Sequence, residues 1–208
     1  MLEVGSRDPL ARVRDIVIPL RPAHYTGVDL VPGPGVDVVC PAEVLLARFA
    51  LESFDVVIST EVLEHVRNWR AVVHNLKAVL RDNGILIVTT RSPGFKFHGY
   101  PLDFWRFDRE DICEIFGDLK IEALELDTDE PPGVFVRARR PRAFTERDLH
   151  SYSLYSVVRR RKAKSLTRLD VAGSYSLAVG KAAVGHALPQ SARVVIRQAL
   201  KRCSSRAR

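Results

Sequence analysis

Two continuous apolar runs, FDVVIS at 54–59 and ILIVTT at 85–90, flank the segment NWRAVVHNLKAVLRDNG, in which Trp69, Val72, Val73, Leu76, Val79 and Leu80 recur at helical spacing. A strand that is apolar throughout has to be covered on both faces, and a helix with one apolar stripe is suited to cover it. The unit therefore reads as strand, crossover helix, parallel strand. Asn68 is placed to cap this helix and Gly84 to end it.

The alternation extends in both directions. Upstream, Val4 leads through Gly5 into a helix over DPLARVRDIVIPL, with Asp8 as cap, Pro9 in the first turn and Leu10, Val13 and Val17 on one face. A strand, HYTGVDL, ends in Asp29; a VPGPG turn, a second strand VDVVC and a short helix in PAEVLLARF follow. Downstream, DREDICEIFGD is helical between the cap Asp108 and the terminator Gly117. LKIEALELD and GVFVRAR are two strands joined at Pro131-Pro132-Gly133, which predicts an antiparallel hairpin at the sheet edge. The expectation is an α/β fold, a doubly wound and mostly parallel sheet with that hairpin at its C-terminal edge.

Charge divides the chain. Residues 1–136 carry 14 Lys/Arg against 22 Asp/Glu, and residues 137–208 carry 18 against 3. This predicts an acidic core over 1–141 and a basic helical extension or loosely attached tail over 142–208, since SLYSVVRRRKAKSL and SARVVIRQALKR both look amphipathic. Three readings of the cluster Arg159, Arg160, Arg161, Lys162 and Lys164 compete. It is a solvated face, a peripheral contact with an anionic membrane through the neighbouring Tyr152, Leu154, Tyr155, Val157 and Val158, or a nucleic-acid contact. The acidic core argues against a broad nucleic-acid face. Cys40, Cys113 and Cys203 are widely spaced and suggest neither a disulfide framework nor a zinc site, so no metal is expected and the reducing cytoplasm is the default location.

In an open parallel sheet, ligands bind beyond the carboxyl ends of the strands. Gly5 after the first strand allows close backbone approach, and Asp29 at the end of the second can accept from a ribose diol. FDVVISTEVLEHV, a helix and then LRDNGILIVTT resemble the class I S-adenosylmethionine-dependent methyltransferases, nearest to the small-molecule, type 11-like members, over roughly residues 1–136. The resemblance implies a Rossmann-like core and S-adenosyl-L-methionine as cofactor. It assigns Glu3, Gly5 and Ser6 to the methionine part, Asp29 to the ribose, Leu30, Ala42 and Glu43 to the adenine, and Thr60 and Glu61 to the floor beneath cofactor and substrate. Arg7 and Pro41 depart from the pattern, the first where a second glycine is usual and the second where an acid is usual. Such domains place a helix and a longer strand before this point, so the native chain is expected to start upstream of Met1. An intact mass that begins at Met1 would refute that.

The segment SPGFKFHGYPLDFWRFDRED follows the strand at 85–90 and resembles a stretch of methyltransferases from sugar and cell-envelope pathways. It offers His98 as a catalytic base and Tyr100, Asp103 and Arg106 as substrate contacts, while Phe104, Trp105 and Phe107 form the core of a lid. His65 is either a second base or a tie between its helix and this loop. The expected activity is methyl transfer from S-adenosylmethionine to oxygen of a small-molecule, sugar or glycolipid acceptor. A nitrogen or carbon acceptor, a non-catalytic methyltransferase-like binding protein and an RNA methyltransferase are the alternatives.

Overall fold

The computed structural model describes residues 1–7, 13–98 and 102–172. The proposed helix start at Asp8, Pro9 and Leu10, the substrate contact Tyr100 and the segment SARVVIRQALKR lie outside the described residues. A seven-stranded sheet is built from β1 (Leu2–Val4), β2 (Thr26–Asp29), β3 (Val38–Val39), β4 (Phe54–Thr60), β5 (Leu80–Arg91), β7 (Lys120–Leu126) and β8 (Gly133–Arg139). Their order is β3-β2-β1-β4-β5-β8-β7, with the first five parallel and β8 antiparallel to both β5 and β7. The strand order reverses between β1 and β4, so the carboxyl ends of these strands flank the crevice in which such sheets bind ligands.

Alternate residues of the central strands serve opposite faces. Val57, Leu86 and Val88 pack under helices α2 (Leu45–Phe49), α3 (Trp69–Ala78) and α4 (Arg109–Phe116). Val56, Ile58, Ile85 and Ile87 pack under α1 (Val13–Val17). Asn68 caps α3 by accepting from Ala71 N, and Asp108 and Asp111 form a reciprocal capping box on α4.

Two expectations change. Helix α3 stops at Ala78 rather than near Gly84, because Ser53 N and Phe54 N both donate to Val79 O and β5 begins at Leu80. Strand pairing takes residues that local periodicity would give to the helix. The basic stretch SLYSVVRRRKAKSL, expected to be helical, instead forms a hairpin of β9 (Leu154–Ser156) and β10 (Arg161–Ala163). β9 also pairs with β6 (Trp105–Arg106), giving a small antiparallel sheet. Leu154 and Ser156 are buried while Tyr155 between them is partly exposed, the period-2 pattern of a strand. Leu149, Leu154, Ala163 and Leu166 join the main core, with Tyr152 and Val158 packed against it. Several of the apolar residues expected to meet a membrane therefore face the protein. Arg159 is paired with Asp170 and Lys162 with Asp111 at 3.6 Å, whereas Arg160, Arg161 and Lys164 are exposed. Among the described residues no helix is long and apolar enough to cross a membrane.

Arg70 on α3 fastens this segment. It donates to Leu149 O at 2.7 Å, to Lys164 O at 2.6 Å and to Tyr152 O. Arg70→Ala removes the donor shared by three carbonyls, of which Leu149 O keeps Tyr152 N at 3.1 Å, and is expected to lower stability by about 2 kcal/mol. Limited proteolysis is expected to cut first within 149–164 in this variant and not in the wild type.

Candidate active site

β1 ends in a turn that approaches the neighbouring strands closely. Gly5 has φ +81° and Gly5 N donates to Val28 O at 2.9 Å; a Cβ here would overlap Val62 Cγ2. Only glycine meets both demands cheaply. Ser6 is buried, and its hydroxyl has no hydrogen-bond partner among the described residues. Glu3 is buried on β1 between Gly27 and Ile58. Asp29, at the end of β2, is half-buried and accepts from Arg7 N at 3.2 Å and Val31 N at 3.3 Å, one oxygen each. A carboxylate accepts at about four lone-pair positions, so each oxygen keeps capacity for a ligand hydroxyl. The Arg7 side chain lies over Gly33, which explains how an arginine fits this turn: a Cβ at Gly33 would come within 2.7 Å of Arg7 Nε. Leu30 is 58% exposed beside Asp29, and Ala42 and Glu43 lie in the short 3-10 turn after β3.

The chain turns sharply after β4. Thr60 is buried, and Glu61 takes φ +54°, a backbone region uncommon for a residue with a Cβ. Its carboxylate turns toward β5, accepting from Thr89 Oγ1 at 2.8 Å and from Arg91. Arg91 is buried and also pairs with Asp127 at 2.9 Å and Glu130 at 3.4 Å. Burial, reinforced by the nearby Glu64 carboxylate, pushes the Glu61 carboxyl up to about 8 against the pull of Arg91.

The 3-10 turn Leu63–His65 then presents Glu64 and His65 to the loop between β5 and β6. His65 and His98 stack edge to face with centroids 4.7 Å apart. His65 Nδ1 bonds Leu102 O, so the tie between turn and loop is real. His98 Nδ1 lies 3.1 Å from Asp103 Oδ2, and its Nε2 faces Glu64 Oε1 at 3.8 Å. Glu64 Oε2 accepts from Thr90 Oγ1 at 2.9 Å. Burial opposes charge on His98, but the flanking Asp103 and Glu64 outweigh it and push its pKa up to about 9. Burial likewise opposes charge on Glu64, yet the imidazoles of His98 and His65 hold its carboxyl down at about 2. Burial lowers His65 below the usual imidazole range.

Asp103 and Arg106, expected to face substrate, form a buried bidentate pair. Arg106 Nη2 donates to Asp103 Oδ2 at 2.7 Å and to Lys96 O at 3.2 Å, and Nη1 donates to Asp103 Oδ1 and to Trp105 O at 2.8 Å. Arg106 is 1% exposed, so it braces the loop. Phe104, Trp105 and Phe107 are buried in the core as expected.

The methyltransferase-domain family model matches residues 8–124, more than half of the chain. The chain belongs to the methyltransferase-domain family. A curated ubiquinone biosynthesis O-methyltransferase from Parvibaculum lavamentivorans is 33% identical over 70 residues, which is 34% of this chain and 27% of that protein. The match thus spans about a quarter of the relative. Among solved structures, the CurJ carbon methyltransferase superposes with a TM-score of 0.53 at 14% identity, over 67% of this chain and 48% of that one. The [4+2]-cyclase SpnF does so with a TM-score of 0.52 at 16% identity, over 67% and 73%. At such identities the likeness is one of fold.

The cofactor of this methyltransferase family is S-adenosylmethionine, which supplies a methyl group activated on a sulfonium. The residues of this chain fit it. The Gly5 turn admits close approach, the partnerless Ser6 hydroxyl lies beside it, Asp29 has acceptor capacity for the ribose and exposed Leu30 offers an apolar surface to the adenine. Pro41 has no backbone N–H to donate at that edge. Glu64 and Arg91 were not singled out in the sequence, although Glu64 stands three residues after Glu61 and Arg91 directly follows the run ILIVTT.

Proposed function

We propose that this methyltransferase moves the methyl group of S-adenosylmethionine to a hydroxyl oxygen of a small-molecule acceptor, of sugar or glycolipid type. The observation that carries the reading is the imidazole–carboxylate cluster of buried Glu64 with half-buried His65 and His98, set at the turn after β4, where Val62 packs on the Gly5 turn. The sulfonium needs no activation from the protein, and alignment in a dry site supplies much of the rate, on the order of 7–11 kcal/mol. A hydroxyl acceptor differs from an amine in having to shed a proton of high pKa. Groups that polarise O–H bonds are what distinguish an oxygen-directed site.

The test is incubation of the full chain with S-adenosylmethionine and a panel of free sugars, phenols and lipid-linked sugars, reading S-adenosylhomocysteine and product mass. Methyl ethers formed with one acceptor class are expected. Methylation at carbon or nitrogen, or cofactor binding with no turnover across the panel, would reject the reading.

A further inference from the structure

We propose that Glu64, His65 and His98 form a binding site for a divalent transition-metal cation, with a coordination position left for an acceptor oxygen. The ligand atoms of the three residues lie within 4.8 Å of one another. Each side chain has one heteroatom against a neighbouring group, and the second carboxylate oxygen of Glu64 faces the second ring nitrogen of His98. His65 is held through Nδ1 on Leu102 O, which fixes the tautomer with its lone pair on Nε2. His98 donates through its backbone N to Asp103 Oδ2 at 3.0 Å, its Nδ1 lies 3.1 Å from that oxygen, which Arg106 also fixes, and its Nε2 faces Glu64. Glu64 is held through Oε2 by Thr90, which leaves Oε1 facing His98.

This is the support that metal-binding imidazoles receive, with the distal nitrogen hydrogen-bonded to a carboxylate or a backbone carbonyl. With bonds of about 2.1 Å, ligand atoms around one ion stand roughly 3–3.5 Å apart. The 3.8 Å between Glu64 Oε1 and His98 Nε2 is a small side-chain adjustment away, and the cluster's 4.8 Å limit requires its widest pair to close by about an ångström or more on binding. The environment also favours a cation: Glu64 and Asp103 are both fully buried and flank His98. Two imidazoles and one carboxylate select zinc, manganese, iron or cobalt over calcium and magnesium. Three protein ligands leave at least one position open, as in catalytic rather than structural sites. A hydroxyl bound there loses its proton to water at a lower pH than it does free in solution.

What the cation does for the acceptor rests on the proposed oxygen-directed transfer; the binding itself does not. The full chain, stripped with chelator, is to be titrated with Co2+ and, separately, loaded with Mn2+ for pulsed electron paramagnetic resonance. One Co2+ per chain with visible d–d absorption, and two imidazole nitrogen couplings to Mn2+, are expected. Glu64→Gln and His98→Gln are expected to remove the cobalt spectrum, and His74→Gln on the exposed face of α3 to leave it intact. Asp103→Asn, which disturbs a positioning residue, is expected to weaken cobalt binding by about 10–100-fold. Absence of stoichiometric Co2+, or of the nitrogen couplings in the wild type, overturns the proposal whether or not the variants fold. S-adenosylhomocysteine binding by the metal-free wild type is read in parallel. Cation binding without any methyl ether product defeats the proposed transfer and leaves the metal site standing, and the converse result defeats the metal site alone.

Discussion

Asp29→Ala is expected to weaken binding of both S-adenosylmethionine and S-adenosylhomocysteine by roughly 100-fold, read by calorimetric titration. The argument is one of hydrogen bonds and position. Asp29 terminates β2 at the crevice, half-exposed, with Arg7 N and Val31 N each taking one lone pair of its carboxylate. Two ribose hydroxyls donating to the remaining positions contribute about 1.5 kcal/mol each at the low end for charged acceptors, and about 3 kcal/mol is roughly 100-fold. The same substitution removes little from the fold, since the two backbone donors lie at the surface and turn to water. The melting temperature is expected to fall by no more than a few degrees. Asp29→Asn, which keeps the shape and one acceptor oxygen, is expected to fall between the two. Equal affinity in wild type and Asp29→Ala would place the ribose elsewhere and remove the basis for reading the β1–β2 crevice as the cofactor site.

Where the sequence could be read, local pattern and tertiary demand agreed. The central strands are apolar on both faces and the helices between them carry one stripe, so the alternation at 54–90 leaves little choice of fold. Strand ends then follow from turn chemistry, which is why Gly5 and Asp29 fall where the residues implied. Reading failed where distant pairing overrode local preference. Val79 and Leu80 continue a helical stripe, yet β4 claims them. In LYSVVRRRKA the row of arginines hides the alternation of Leu154, Tyr155 and Ser156, and the partner that makes it a strand, Trp105–Arg106, lies far away in the chain.

The candidate site shows the same division. His65 and His98 stand out as residue types, but Glu64 acquires meaning only when the loop between β5 and β6 folds back and brings His98 against it. Arg106 reads equally well as a substrate contact or a brace, and only its burial against Asp103 decides. A guanidinium among aromatic residues carries no local mark of which way it points.

The largest stability effect is expected from a pair outside the site. Lys77 is fully buried on α3 and donates to Asp118 Oδ2 at 2.6 Å and to Ile115 O at 2.7 Å, and the Asp118 side chain is 4% exposed. Asp118→Ala leaves the ammonium buried without its counter-charge and is expected to cost about 3–5 kcal/mol near pH 7. It also takes the acceptor from Arg147 N, which bonds the same oxygen at 3.0 Å and holds the chain entering the 149–164 segment. Replacing both charges by apolar side chains, as in Lys77→Met with Asp118→Leu, is expected to recover much of the loss, because the pair's own desolvation cost disappears with it. The sign of the pH dependence separates this account from a simple packing defect. Burial lowers the Lys77 pKa below its ordinary value even with Asp118 present, and removing Asp118 lowers it further. The folded variant then binds fewer protons than the unfolded chain between that lowered value and the ordinary lysine pKa of about 10.4, so its stability rises with pH across the window. Denaturant unfolding at pH 7 and pH 10 is therefore expected to show the deficit of Asp118→Ala shrinking at the higher pH; a deficit that stays constant would mean that the charge on Lys77 is not what Asp118 supports.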